Sequence, residues 1–260
     1  MWDNAMLQKD RKKSLPATAG TADPAEIARF NALAEEWRKP DGAFKMIHAF
    51  NRVRVGHLAQ RLPILLGHDP NSALPLAGVE ILDAGCGAGL VTEAVSLLGA
   101  SVLGIDAAER NILIAQRHAQ SIGAAVEYRQ ALPEELVQET RQFDAVLSLE
   151  VVEHVADLPQ FLEALARLVA PGGLLVIGTL NRTLRSFIKA IIGTEYVLGW
   201  LPRGTHNWRK FVTPKELEYS LRPLGFDTLE RSGVAFSPLS NKWAISEDDS
   251  ATYLQFHRRR

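Results

Sequence analysis

Two groups of polar residues in this sequence are spaced so that they could do chemistry, and the first comprises Glu150, Glu153 and His154. If a helical turn begins at Glu150, the three side chains stand at positions i, i+3 and i+4 and share one face. Two carboxylates and one imidazole suit Mg²⁺ or another divalent cation, such as a Zn²⁺ with open positions. Alternatively, His154 is a general base oriented by a glutamate. In a third interpretation, Glu150 and His154 only hydrogen-bond to local loops.

The second group is a glycine-rich turn that lies between two acidic residues, Asp83 and Asp106. Its glycines follow the pattern G-x-G-x-G at Gly85, Gly87 and Gly89. This differs from the G-x-G-x-x-G turn that places a pyrophosphate at a helix N-terminus. Because glycine has no Cβ, the backbone can approach a ligand closely.

The acidic residues around this turn indicate the kind of ligand. The carboxylate of Asp83 would repel a pyrophosphate and attract a ligand with a positive amino group and no phosphate. S-adenosyl-L-methionine is such a ligand, and Asp106 would accept hydrogen bonds from its ribose hydroxyls. The simpler interpretation is an ordinary tight turn in which Asp83 and Asp106 cap helices.

Methylation of a hydroxyl is the reaction that fits both groups. A phenol has a pKa near 10, as tyrosine does, so little phenolate is present at pH 7. A cation would lower that pKa and position two adjacent oxygens, whereas a neighbouring imidazole would remove the proton during attack. Either device would serve an oxygen nucleophile held in line with the sulfonium methyl.

Strands that end at these residues must position them. The predicted strands cover residues 79–82, 101–105, 125–129, 143–149, 174–180, 226–231 and 251–257. Predicted helices alternate with them at about 44–62, 90–99, 108–121, 133–140, 157–169 and 213–225, after a first helix that begins at Pro24 and ends before Pro40. Such alternation predicts right-handed crossovers and a parallel sheet, with ligands at the carboxyl ends of the strands. We therefore expect a Rossmann-like α/β fold with a seven-stranded, mostly parallel sheet and helices on both faces.

Three regions are expected along the chain: a disordered tail at 1–22, an N-terminal helical cover at 23–78 and a cofactor-binding domain at 79–260. A lid insertion at about 181–211 interrupts the last of these. Within it, residues 184–201 are amphipathic, with aromatic and basic residues at the edges. This pattern is typical of an interfacial helix that touches a membrane surface or covers an apolar substrate, although an ordinary core helix has the same spacing.

Composition excludes several classes of protein. The net charge of −1 gives no support for nucleic-acid binding. The single cysteine, Cys86, rules out an intrachain disulfide or a multi-cysteine zinc site and fits a reducing compartment. We find no secretory signal and no bilayer-spanning segment, so we expect a cytoplasmic protein that could lie peripherally on the inner membrane.

The chemical motifs resemble those of class I S-adenosylmethionine-dependent methyltransferases. These motifs are residues 83–89 (D-A-G-C-G-A-G), Asp106, residues 149–155 (L-E-V-V-E-H-V) and residues 171–173 (P-G-G). Others resemble the ubiquinone-biosynthesis O-methyltransferase family: residues 44–45 (F-K), 51–54 (N-R-V-R), 179–183 (T-L-N-R-T), 193–196 (G-T-E-Y), 202–206 (P-R-G-T-H) and 210–211 (K-F). The resemblance runs from about Ala25 to the C-terminus.

This resemblance implies a class I methyltransferase fold and O-methylation of catechol-type, polyprenylated intermediates at two steps. The acceptors are of the 3-demethylubiquinol and 2-polyprenyl-6-hydroxyphenol types. The cofactor sites carried over from the family are Arg54 for the ligand carboxylate, Gly85, Asp106, and Leu149 on the adenine side.

The resemblance also implies a divalent-metal site at Glu150, Glu153 and His154. It implies that the insertion at 184–201 reaches membrane-held substrate, and a complex of ubiquinone-biosynthesis proteins is an expected partner. Three alternatives stay open: a methyltransferase with another acceptor, an NAD-dependent oxidoreductase, and a non-catalytic membrane-bound scaffold. The G-x-G-x-G pattern with Asp83 disfavours the oxidoreductase.

Overall fold

Strands and helices alternate along most of the chain in the computed structural model, which describes residues 20–38, 45–186, 207–237 and 240–260. The helices are α1 (Pro24–Leu33), α2 (Lys45–Leu66), α3 (Leu90–Ser96), α4 (Glu109–Ile122), α5 (Pro133–Leu136), α6 (Leu158–Leu168), α7 (Leu184–Ser186) and α8 (Pro214–Leu221). The strands are β1 (Glu80–Ala84), β2 (Ser101–Asp106), β3 (Val126–Gln130), β4 (Phe143–Leu149), β5 (Val169–Leu180), β6 (Phe226–Ser237), β7 (Lys242–Ser246) and β8 (Thr252–Arg259). The predicted α/β architecture is confirmed.

The eight strands form one sheet in the order β3-β2-β1-β4-β5-β8-β6-β7. The first five in this order are mutually parallel. Strand β8 runs antiparallel between β5 and β6, and β7 runs antiparallel to β6. The mostly parallel sheet was predicted correctly, but the prediction of seven strands missed β7. Among the described residues this edge strand pairs with β6 alone, and its own residues are exposed or half-exposed, so its sequence lacks the apolar run of an inner strand.

Apolar side chains cover both faces of the sheet. Along β1, Leu82 and Ala84 belong to the core cluster on one face, whereas Ile81 belongs to the cluster on the other. Helix α6 contributes to the first cluster and helices α2 and α3 to the second. A sheet buried on both faces produces the near-continuous apolar runs from which the inner strands were predicted.

Capping residues fix several helix starts where the sequence predicted them. Asp23 precedes α1 and accepts a hydrogen bond from the amide of Ala25. Thr213 and Glu216 form a reciprocal capping box before and within α8.

Helix α2 differs from its prediction because it continues through Pro63 to Leu66. The residue before a proline is only biased against helix, so Pro63 did not mark the true end.

The amphipathic insertion falls largely outside the described residues, which include only its first turn, α7. Leu184 in that turn is 71% exposed. Residues 187–206, and the tail at 1–19, lie outside the described part of the chain. Within the part that is described, no helix is both long enough and apolar enough to cross a bilayer.

Candidate active site

The glycine turn connects β1 to α3 at the carboxyl edge of the sheet. Gly85, Gly87 and Gly89 have φ values of 84°, 54° and 81°, which place all three in the left-handed region. A Cβ on Gly85 would lie 2.3 Å from Val151 Cγ2, and one on Gly89 would lie 2.2 Å from Tyr128 Oη. A Cβ on Gly87 would meet no described atom within 4 Å. The turn therefore packs tightly at its ends and faces open space at its centre.

Asp106 joins this turn to the end of β2. Its Oδ2 accepts a hydrogen bond from the Gly87 amide at 2.9 Å. Its Oδ1 accepts hydrogen bonds from the Ala108 amide at 2.8 Å and from Asn111 Nδ2 at 3.2 Å. Burial raises the pKa of Asp106, and these three donors oppose that rise. A carboxylate offers about four lone pairs, so the three contacts leave capacity for a ligand hydroxyl.

Asp83 is buried at the end of β1, with only 2% of its surface exposed. It accepts a hydrogen bond from Thr92 Oγ1 at 2.6 Å and so links β1 to α3. Burial raises the pKa of Asp83 to about 6. Asp83 therefore connects the end of β1 to the helix that follows the glycine turn.

Arg54 projects from α2 and is 5% exposed. Its Nη1 donates to Glu150 Oε1 at 2.9 Å, and its Nη2 donates to Asn51 Oδ1. Its guanidinium lies over the ring of Phe50, 4.3 Å from the centroid. Arg54 was predicted to bind the ligand carboxylate, and in this structure the carboxylate it pairs with is that of Glu150.

Glu150 directly follows Leu149, the last residue of β4. Its φ of 58° is left-handed, and its amide donates to the Gly178 carbonyl at 2.8 Å. A left-handed residue cannot continue into a right-handed helix, and residues 152–154 form a turn. The prediction that Glu150, Glu153 and His154 share one helical face is therefore wrong.

The side chains of Glu150 and Glu153 point to different partners. Glu153 is 3% exposed, and its Oε2 accepts a hydrogen bond from Thr179 Oγ1 at 2.8 Å. Its Oε1 has no hydrogen-bond partner among the described residues. Burial raises the pKa of both carboxyls, Glu150 adds to the rise at Glu153, and Arg54 opposes both.

His154 contacts helix α1. Its Nδ1 lies 2.8 Å from Oε2 of Glu26 in α1. The Phe30 ring, one turn further along α1, meets the imidazole edge to face at 5.1 Å. Glu26 was not among the site residues predicted from the sequence. Nothing in its spacing shows the contact with His154, because the two residues are 128 positions apart.

The metal prediction does not fit this arrangement of side chains. Glu150 faces Arg54, Glu153 faces Thr179 and His154 faces Glu26, so the three groups do not converge. Across residues 20–38, 45–186, 207–237 and 240–260, no group of three or more His, Cys, Asp or Glu side chains is placed to hold a metal ion. This edge of the sheet does carry a glycine turn held by Asp106 and, in the loop after β4, a histidine with a carboxylate partner.

Similarity to known proteins extends over nearly the whole chain. A family profile described as "Methyltransferase domain" matches residues 82–177. The ubiquinone biosynthesis O-methyltransferase of Azorhizobium caulinodans is 48% identical over 90% of this chain and 92% of its own length. The protein of the same name from Rhizobium etli is 46% identical, over 92% of this chain and 96% of its own length.

Solved structures share the fold at lower identity. The magnesium protoporphyrin IX methyltransferase of Synechocystis PCC 6803, solved with bound SAH, has a TM-score of 0.62 and 20% identity, covering 90% of this chain and 95% of that one. A possible histamine N-methyltransferase from Thermotoga maritima also has a TM-score of 0.62, with 18% identity, covering 90% of this chain and 99% of that one. These structures support the fold alone. Because it is 46–48% identical to these relatives over at least 90% of its length, the chain belongs to the ubiquinone biosynthesis O-methyltransferase family, within the class I S-adenosylmethionine-dependent methyltransferases.

Proposed function

We propose that this protein transfers the methyl group of S-adenosyl-L-methionine to a phenolic hydroxyl of polyprenylated, catechol-type intermediates, at both O-methylation steps of ubiquinone biosynthesis. The acceptors are of the 3-demethylubiquinol and 2-polyprenyl-6-hydroxyphenol types. The observation that carries this proposal is the 48% identity to a curated ubiquinone biosynthesis O-methyltransferase over 90% of the chain. The open glycine turn held by Asp106 supports the choice of cofactor.

Cofactor binding is assigned to the glycine turn and the strand ends beside it. Gly85 and Gly87 give the ligand access to the backbone, and Asp106 accepts hydrogen bonds from the ribose. Leu149, at the end of β4, contributes an apolar contact to the adenine side. Asp83 holds α3 in place by accepting a hydrogen bond from Thr92. Arg54 serves the ligand carboxylate in this proposal, and to do so it must share its guanidinium with Glu150.

Proton removal is assigned to His154. As the phenol oxygen attacks, an O–C bond forms to the methyl carbon, the S–C bond breaks, and sulfur keeps the electron pair as S-adenosylhomocysteine. The phenol proton passes to the imidazole of His154, whose Nδ1 lies 2.8 Å from Oε2 of Glu26. General-base help of this kind typically contributes about 10²–10⁴-fold in rate. No step is assigned to a metal ion, because the three side chains predicted to hold one have separate partners.

Membrane contact through residues 184–201 is part of the same proposal. A polyprenyl tail keeps an acceptor in the bilayer, so the enzyme must approach the membrane surface. The apolar residues in this part of the sequence and the exposed side chain of Leu184 support that assignment. Association with other ubiquinone-biosynthesis proteins would bring the acceptor to the same place.

The proposal is tested by methyl transfer from labelled S-adenosyl-L-methionine to a short-tailed catechol precursor of ubiquinone. The matched acceptor has the same ring and tail but lacks the hydroxyl that is methylated. We expect label in the catechol product and none in the matched compound. Cofactor binding without transfer would contradict the proposal and favour the scaffold alternative. Nicotinamide-cofactor binding in place of S-adenosyl-L-methionine would favour the oxidoreductase.

A further inference from the structure

Arg38, in the N-terminal cover, reaches the glycine turn between β1 and α3. Its Nε donates a hydrogen bond to the Ala88 carbonyl at 2.8 Å, and its Nη2 donates to the same oxygen at 2.5 Å. From this contact we propose that Arg38 is a positioning residue for the cofactor. It holds the turn in its ligand-binding form, so that cofactor affinity depends on the cover being packed on the turn. This inference rests on the cofactor binding assigned to the turn in the proposed function.

Two consecutive residues in the middle of the turn are held by groups from different parts of the chain. From β2, Asp106 accepts a hydrogen bond from the Gly87 amide at 2.9 Å. From the cover, Arg38 donates to the Ala88 carbonyl, and among the described residues no other group donates to that oxygen. Ala88 is 4% exposed, and a buried carbonyl without a donor is unfavourable. Loss of Arg38 should therefore let the turn rearrange next to Gly87.

Two further side chains fix the Arg38 guanidinium. Its Nη2 lies 2.5 Å from Oε1 of Glu93 in α3, and its Nη1 lies 2.9 Å from Nδ1 of His118 in α4. The same His118 nitrogen lies 2.9 Å from Oε2 of Glu93. A guanidinium only donates and a carboxylate only accepts, so Nδ1 either accepts from Arg38 or donates to Glu93. In both states His118 connects α4 to the pair formed by Arg38 and Glu93.

Apolar contacts bring the same segment of the cover onto the turn. Ala34 is fully buried in a small core cluster with Ala88 of the turn and Ile114 of α4, and Trp37 packs against this cluster. Arg38 directly follows Trp37, and only 15% of its side chain is exposed. The segment at 34–38 thus contacts the turn through apolar groups and through one buried charge.

Thermodynamic linkage makes this contact work in both directions. If the packed cover stabilises the ligand-binding form of the turn, the bound cofactor must stabilise the packed cover by the same factor. The proposal therefore predicts two effects of removing Arg38: weaker cofactor binding, and a cover that no longer responds to the cofactor. A side chain with only a structural role would lower stability and change neither.

Arg38→Met tests the effect on cofactor binding. Methionine keeps an unbranched apolar side chain and removes every donor. The matched control is Arg52→Met, which removes an exposed arginine from α2 of the same cover. Calorimetry should show the Kd for S-adenosyl-L-methionine raised by roughly 10-fold in Arg38→Met, a size typical of coupling between two sites. Arg52→Met should keep the wild-type Kd.

Arg38→Lys is a second variant, which keeps the charge beside Glu93 but has one nitrogen in place of the fork. Its Kd should lie between those of the wild type and Arg38→Met. Circular dichroism at the temperature of the titration identifies the folded variants. A wild-type Kd in a folded Arg38→Met or Arg38→Lys protein would overturn the proposal. If the wild type itself binds no S-adenosyl-L-methionine, the cofactor assignment fails, and this inference fails with it.

Hydrogen exchange read by mass spectrometry gives a result that does not depend on turnover. S-adenosylhomocysteine is added at concentrations that saturate each protein, so that a difference in affinity does not produce a difference in protection. We expect it to slow exchange of residues 24–36 in the wild type and in Arg52→Met, and to have much less effect there in Arg38→Met. Equal protection in all three proteins, or no protection in the wild type, would overturn the proposal.

Discussion

Asp106 couples the cofactor turn to the strand beside it, and its carboxylate is the group whose loss should affect cofactor binding most. One oxygen accepts a hydrogen bond from the Gly87 amide and the other from the Ala108 amide, so the carboxylate fixes the turn as well as binding the ribose in our proposal. Asp106→Asn replaces one acceptor oxygen by a donor. Since a hydrogen bond to a charged group contributes about 1.5–3 kcal/mol, the Kd for S-adenosyl-L-methionine should rise by roughly 10- to 100-fold. Isothermal titration calorimetry measures this directly.

Asp144→Asn is the matched control for that substitution. Asp144 lies in the neighbouring strand β4 and also accepts a hydrogen bond from a backbone amide, that of Glu80, at 2.8 Å. It lies at the opposite end of its strand from Glu150. Its replacement should leave cofactor affinity unchanged. Equal losses in the two variants, or none in Asp106→Asn, would show that the Asp106 carboxylate has no specific role in binding.

Residue identities and spacing predicted which side chains gather at this edge, but not how they pair. Glu150 and His154 were expected on one helical face, and the left-handed φ of Glu150 separates them. A backbone conformation of this kind leaves no mark in sequence spacing, because glutamate rarely adopts it. The partner of His154 was also beyond reach, since Glu26 approaches it only through the packing of α1.

The glycines of the turn between β1 and α3 differ in how closely their surroundings pack against them, and alanine substitution can compare them. Gly85→Ala combines left-handed strain with a 2.3 Å overlap with Val151. We expect it to lower the free energy of unfolding by about 2–5 kcal/mol, as the sum of strain and overpacking. Gly87→Ala introduces the strain without the overlap and should cost only about 1–2 kcal/mol. Denaturant unfolding of the two variants checks the difference.

Gly87→Ala should also weaken cofactor binding. In the proposed binding mode the ligand approaches the turn at Gly87, so the new methyl group should weaken S-adenosyl-L-methionine binding in a protein that is folded. A folded Gly87→Ala variant with wild-type affinity would contradict the placement of the ligand at the centre of the turn. Loss of stability in Gly87→Ala as large as in Gly85→Ala would contradict the packing difference.

At the level of helices and strands, the sequence predicted most of the structure because capping residues and apolar patterns both mark where the elements lie. Asp23, Asp157 and Thr213 cap α1, α6 and α8, which begin close to their predicted starts. The inner strands were found because both of their faces are apolar. The exception is β7, an edge strand whose pairing with β6 depends on the backbone and not on a buried pattern.

For the molecule as a whole, stability in mild acid should depend on His257 in β8. This side chain is 1% exposed, and burial lowers its pKa to about 4 from 6.5. Between these two values the unfolded chain binds a proton that the folded chain does not. The free energy of unfolding therefore falls as pH drops through this window, by about 3 kcal/mol in total.

Replacing His257 by glutamine should reduce that pH-dependent loss, which chemical denaturation at pH 6.5 and pH 4.5 measures. Comparison with the wild type at each pH cancels other groups, including Asp83, whose raised pKa acts with the opposite sign. His68→Gln, at an exposed position, is the control and should keep the wild-type pH dependence. The same pH dependence in His257→Gln as in the wild type would mean that burial of this imidazole is not the cause.

The central claim is that His154 takes the proton as the methyl group is transferred, without a metal at the residues predicted to bind one. The most direct test is transfer of labelled methyl to the short-tailed catechol by the wild type and by His154→Ala, each with and without a strong chelator. We predict that chelator leaves the wild-type rate unchanged and that His154→Ala lowers kcat by roughly 10²–10⁴-fold. Transfer that stops in chelator and returns with added Mg²⁺ would contradict this account and assign Glu150, Glu153 and His154 to a metal site.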